Sequence, residues 1–128
     1  GNDYAVWKDM AYFEPILVII EYNQTIPANV EYIDVNGDSF MGSSCLSLTN
    51  LAKQKGYELV CCTATNCFFI KKEYYYLFNI EDNRPEKLQV QDKQCFVALN
   101  HSGELVFSNK EFFQNELRVV VYKRFKKK

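Results

Sequence analysis

Gly56-Tyr57-Glu58-Leu59-Val60-Cys61-Cys62-Thr63-Ala64-Thr65-Asn66-Cys67-Phe68-Phe69-Ile70 is the stretch that decides the fold. It reads as a helix stop followed by two apolar runs on either side of a short polar turn. Glycine ends helices because it enters the left-handed region without a Cβ penalty. Ala64-Thr65-Asn66 is short enough to join residues 57–63 and 67–71 as neighbouring strands of a hairpin. Immediately upstream, Ser43 or Ser44 is placed to cap a helix running to Lys55, with Leu48, Leu51 and Ala52 as its buried stripe. Further back, Ile16-Leu17-Val18-Ile19-Ile20-Glu21-Tyr22 is continuously apolar and, Leu17 apart, β-branched up to its last two residues. That pattern predicts a central strand covered on both faces, as in a parallel sheet with helices on each side.

The order strand, helix, strand, strand is α/β and describes the closing half of a Rossmann-like sheet. The chain begins Gly1-Asn2-Asp3-Tyr4, with no opening strand, so the opening half is expected to lie elsewhere. A first helix is predicted over residues 3–13, with Tyr4, Trp7, Met10 and Ala11 on one face, Asn2 or Asp3 as its cap, and Pro15 as its end. Residues 23–42 form a long connection with turn chemistry at Pro27 and Asn36-Gly37-Asp38. Beyond Glu73 the pattern changes. Residues 74–78 read as helix or strand, Asn83-Arg84-Pro85 as a turn, and residues 95–99, 105–108 and 117–122 as β structure or an aromatic covering layer. The organisation expected is thus a partial Rossmann-like segment over residues 1–72 and an aromatic, β-rich extension over 73–128 packing on it.

Composition narrows the possible functions. A chain of 128 residues with 48% hydrophobic content can bury one core. A formal charge of -1 gives no general attraction for nucleic acid or an anionic membrane. The basic end, Lys123-Arg124-Phe125-Lys126-Lys127-Lys128, reads as a solvated, frayed terminus. The longest apolar run is too short to cross a bilayer, so neither nucleic acid nor membrane is expected as a partner. The five cysteines, Cys45, Cys61, Cys62, Cys67 and Cys95, are odd in number and lack the paired spacing of a zinc site. Free thiols in a reducing, cytoplasmic setting follow. Asp34-Val35-Asn36-Gly37-Asp38 alternates oxygen donors but fails as a calcium loop, because the glycine comes two places early and Cys45 stands where a bidentate glutamate is needed. His101, in Asn100-His101-Ser102-Gly103-Glu104, belongs to a hairpin turn by composition.

Four stretches together resemble the C-terminal part of the FkbM-like class I S-adenosylmethionine-dependent methyltransferases of bacteria. Gly1-Asn2-Asp3-Tyr4-Ala5-Val6-Trp7 looks like the turn and helix after the fourth strand of that fold, and Ile20-Glu21-Tyr22-Asn23 like the end of the fifth. Phe40-Met41-Gly42-Ser43-Ser44-Cys45-Leu46 through Gly56-Tyr57-Glu58-Leu59-Val60 looks like the following helix and sixth strand, and Thr65-Asn66-Cys67-Phe68-Phe69-Ile70 like the seventh. The resemblance covers residues 1–72. It implies a parent that methylates a small molecule or glycan, with Asp3, Glu21 and Asn23 gathered at the carboxyl ends of neighbouring strands, where open α/β sheets bind ligands. There a carboxylate would serve as general base toward an acceptor hydroxyl or amine. The same three residues also read as a helix cap and as side chains satisfying loop backbone.

In such enzymes a glycine-rich turn and a ribose-binding carboxylate hold the cofactor. The glycines here, Gly1, Gly37, Gly42, Gly56 and Gly103, include no G-x-G pair. S-adenosylmethionine is therefore expected in an intact parent and not in this chain, which would be inactive alone. The expected partners are the missing N-terminal half or a second copy. The rival reading is a non-enzymatic interaction module.

Overall fold

The structure, a computed structural model, describes residues 1–35, 42–90 and 97–107. It divides into two compact units, Gly1–Gln91 and Asp92–Lys128.

In the first unit, α2 (Cys45–Gln54) begins at Ser44, whose Oγ accepts from Ser47 N at 3.1 Å. It ends with Gly56 at φ +81°, the left-handed stop expected from sequence. Leu48, Leu51 and Ala52 are buried as the stripe predicts. β2 (Tyr57–Cys62) and β3 (Asn66–Lys71) form the expected hairpin, closed by Thr63 N donating to Asn66 O at 2.8 Å. β1 (Leu17–Glu21) pairs antiparallel with the other side of β3, giving the sheet order β1-β3-β2. Because β1 and β2 both run opposite to β3, they are parallel to each other, and α2 lies between them in the chain. The fold is mixed α/β around a small three-stranded antiparallel sheet.

β1 is not the central, doubly covered strand predicted from its apolar run. It lies at an edge of this sheet, and its burial alternates. The register places Val18 and Ile20 on the same face as Phe69, Cys67, Leu59 and Cys62. This face carries the core, in which α2 and Trp7 pack against the strands. On the other face Asn83 Nδ2 donates to Glu58 Oε2 at 2.8 Å, and the 3-10 helix Lys72–Phe78 packs on β2 and β3. Leu17 and Ile19, on the same outer face, remain 44% and 55% exposed. An unbroken apolar run therefore does not by itself report two-sided burial.

The first helix is shorter than its periodicity predicts. α1 spans Asp3–Asp9, Asn2 precedes it without a side-chain cap bond, and Asp3 sits inside its first turn. Trp7 is its buried anchor, edge-on to Tyr57 with centroids 5.8 Å apart and tilted on Phe69 at 5.2 Å. Met10 and Ala11, predicted on the buried face, are exposed. Beyond Asp9 tertiary bonds take over from helical ones: Lys55 Nζ donates to Met10 O at 2.9 Å and Tyr57 OH to Pro15 O at 2.6 Å. The helix thus ends at Asp9, well before Pro15, and long-range bonds hold the segment between them.

Residues 74–78 fall within the 3-10 helix, and Arg84 precedes a one-turn helix, α3 (Pro85–Leu88), whose Pro85 is buried. In the second unit β4 (Val97–Leu99) and β5 (Leu105–Phe107) pair antiparallel. Their connection is the hairpin turn expected around His101, with Asn100 Oδ1 accepting from Ser102 N and Glu104 N and Gly103 at φ +75°. The strand expected at 117–122, the basic end, and residues 36–38 of the Asp34 loop lie outside the described residues.

Candidate functional site

β1 and β2 both end at the edge of the sheet where α2 begins. This is the carboxyl end of those two strands. The candidates read from sequence reach it unequally. Glu21 closes β1 opposite Asn66 and is exposed. Asn23 is buried, and its Oδ1 accepts from Thr25 N at 2.9 Å and Thr25 Oγ1 at 2.6 Å, which folds the chain into a side-chain-closed turn. Asp3 is exposed, its carboxylate 3.7 Å from the N-terminal amine. Hydrogen bonds do not link the three to one another.

The connection after β1 is an ordered polar network as far as it is described. Asn23 N donates to Ser43 O at 2.9 Å, Ser44 N to Tyr32 O at 2.8 Å, and Tyr32 N to Ser44 Oγ at 3.0 Å. Ser47 Oγ donates to Tyr32 O at 2.9 Å, so the proton in the 3.0 Å Ser44–Ser47 contact belongs to Ser44. Buried Asp34 accepts from Gly42 N at 3.0 Å, and its own N–H donates to Ser43 Oγ at 3.1 Å. Gln89 Nε2 donates to Gln24 O and Ile26 O at 3.3 and 3.0 Å, while its buried Oε1 finds no partner among the described residues.

Beneath this network lies a group that sequence spacing did not reveal. Cys45 is the first residue of α2, Cys62 the last of β2, and Cys67 the second of β3. Their Sγ atoms stand 3.4 Å apart for Cys45–Cys67 and 3.8 Å for both Cys45–Cys62 and Cys62–Cys67. All three are buried and free, whereas Cys61 is exposed. An irregularity in the β2–β3 register decides which cysteine points inward. Leu59 opposes Phe69, but Cys61 opposes Phe68, so Val60 is an extra residue. Without that bulge Cys61 would face Cys67. With it Cys62 does, as the pair next to the hairpin closure, and directly opposed residues of this non-hydrogen-bonded kind bring their side chains closest. Sequence carries the cysteines but no signal for the bulge.

The three thiols share their protons unequally. Cys45 is pushed down because Cys62 and Cys67 hydrogen-bond to it, and those two are pushed up first by their bonds to Cys45. As the first residue of a ten-residue helix, Cys45 also sits where the backbone dipole favours a thiolate. Tyr22 lies against the cluster, its hydroxyl donating to Thr63 O at 3.0 Å, and burial and the neighbouring sulfurs push its ionisation up. Among the described residues these thiols are the group close enough to share one metal ion. An open depression of about 480 Å³ lies at the opposite end of the sheet, lined by Glu14, Lys55, Gly56, Lys71, Lys72 and Glu73. Its Lys71 is already paired with Glu14 at 3.1 Å.

Comparison with protein families, with curated proteins and with solved structures finds no match. No helix among the described residues is long and apolar enough to cross a membrane.

Proposed function

We propose that this chain is the closing half of a class I methyltransferase-type fold, inactive alone, whose parent methylates a small molecule or glycan in the cytoplasm. The observation that carries the reading is the strand order. If the hairpin supplies the sixth and seventh strands and the fifth lies beside the seventh, the order must be fifth, seventh, sixth, with the middle strand reversed. β1-β3-β2 has that order and those directions, with a helix between the two parallel strands. Glu21 and Asn23 then stand at the carboxyl end, Glu21 exposed as a base toward an acceptor requires and Asn23 shaping the turn beside it. Asp3 belongs to the turn after the preceding strand of the parent. Free thiols at contact distance suit a reducing compartment.

Calorimetry with S-adenosylmethionine tests the reading. The chain alone is expected to show no saturable binding, and the chain joined to its upstream coding residues, which should encode a strand followed by G-x-G, is expected to bind and transfer methyl groups. Micromolar binding by residues 1–128, or an upstream sequence without that strand and turn, overturns it. A non-enzymatic interaction module is the second reading, favoured by the exposed Leu17 and Ile19 on β1. An extended chain that captures a protein partner but never the cofactor decides for it.

A further inference from the structure

We propose that Cys45, Cys62 and Cys67 form a three-thiolate site for a thiophilic divalent cation of the zinc class. The argument begins with distances. Zinc–sulfur bonds of about 2.3 Å put the corners of a tetrahedron about 3.8 Å apart and those of a trigonal plane about 4.0 Å apart. Two of the sulfur separations are 3.8 Å and the third is 3.4 Å, nearer the tetrahedral spacing. The donors come from three elements, the start of α2, the end of β2 and the start of β3, so one ion would tie the helix to the hairpin.

Charge selects the cation. Binding replaces three S–H protons, which leave to solvent, and three thiolates around a dication retain a single negative charge. A soft monocation would leave two, and burial penalises the larger charge. The helix terminus at Cys45 offsets part of what remains. Thiolate donors select soft or borderline ions over magnesium and calcium. The three cysteines fill three corners of the zinc tetrahedron and leave the fourth to a donor outside the cluster. This proposal rests on the sulfur geometry and the chemistry of thiolate donors and is independent of the methyltransferase reading.

The test uses the reduced, metal-free chain and Co²⁺ as a spectroscopic stand-in for Zn²⁺. The expected result is one Co²⁺ per chain, with thiolate charge-transfer absorption and the intense visible bands of tetrahedral cobalt, both bleached by Zn²⁺. Bound Zn²⁺ should protect three thiols from alkylation and leave Cys61 reactive. The double variant Cys61→Ser, Cys95→Ser retains only the three clustered thiols and should bind as the native chain does. Cys67→Ala should weaken binding at least about tenfold, in line with losing a ligand, with circular dichroism checking that it folds. Absence of the thiolate band in the folded native chain overturns the proposal. So does its loss in the double variant, or its survival unchanged in a folded Cys67→Ala chain.

Discussion

Gly56 shows how one backbone angle fixes the turn from helix to strand. At φ +81° a Cβ would meet nothing within 4 Å, so the cost of a side chain there comes from the backbone alone. Gly56→Ala is expected to destabilise by about 1 kcal/mol, with Gly56→Val worse because a β-branched residue fits the left-handed region least, and Gly56→Asn mildest. Denaturant midpoints of the three variants check this; equal midpoints, or asparagine the worst, would mean the stop does not depend on the angle. This position was legible in the sequence because glycine at a helix end has a purely local cause. The inward turn of Cys62 was not, because the extra residue at Val60 is a pairing event between two strands. The same holds for Asp3, Glu21 and Asn23, whose residue types were readable but whose bonding depends on how the loops close.

At the scale of elements, the connection after β1 and the start of α2 behave as one polar unit centred on Ser44. Its Oγ accepts from Ser47 N at 3.1 Å and Tyr32 N at 3.0 Å, so the residue that caps the helix also holds the long loop. Ser44→Ala removes a cap worth about 1 kcal/mol and a second, partly buried bond of similar worth. The expected loss is about 2 kcal/mol on the same grounds, with faster amide exchange of both Ser47 and Tyr32. Ser44→Thr, which keeps the hydroxyl, should recover most of it, and a loss confined to α2 would show the loop is held independently. The cap was visible from sequence and the loop anchor was not, since Tyr32 lies 12 residues away. Likewise the helix–hairpin order of residues 44–71 followed from local signals. The true length of α1 and the one-sided burial of β1 were set by partners that no local pattern names.

At the scale of the whole molecule, the open side of β1 is the feature with the largest consequence. Among the described residues β1 pairs with β3 alone, and between Leu17 and Ile20 it carries no charge, proline or glycine to discourage a further strand. Leu17 and Ile19 add an apolar outer face to that free row of backbone groups. In the proposed parent this is where the preceding strand would pair; in the isolated chain a second copy is the expected occupant. Ile19→Lys puts a charge on the outer face and leaves the core untouched, so it should reduce association without moving the denaturant midpoint. Ile20→Lys, on the buried face, should instead unfold the chain, because an unpaired charge in the core costs several kcal/mol. Light scattering across a range of concentrations, with amide exchange of Leu17–Glu21, separates the outcomes. A chain that stays monomeric at every concentration while those amides exchange rapidly would leave the strand neither paired nor covered, and the reading of β1 as an internal strand of a larger sheet would fall with it.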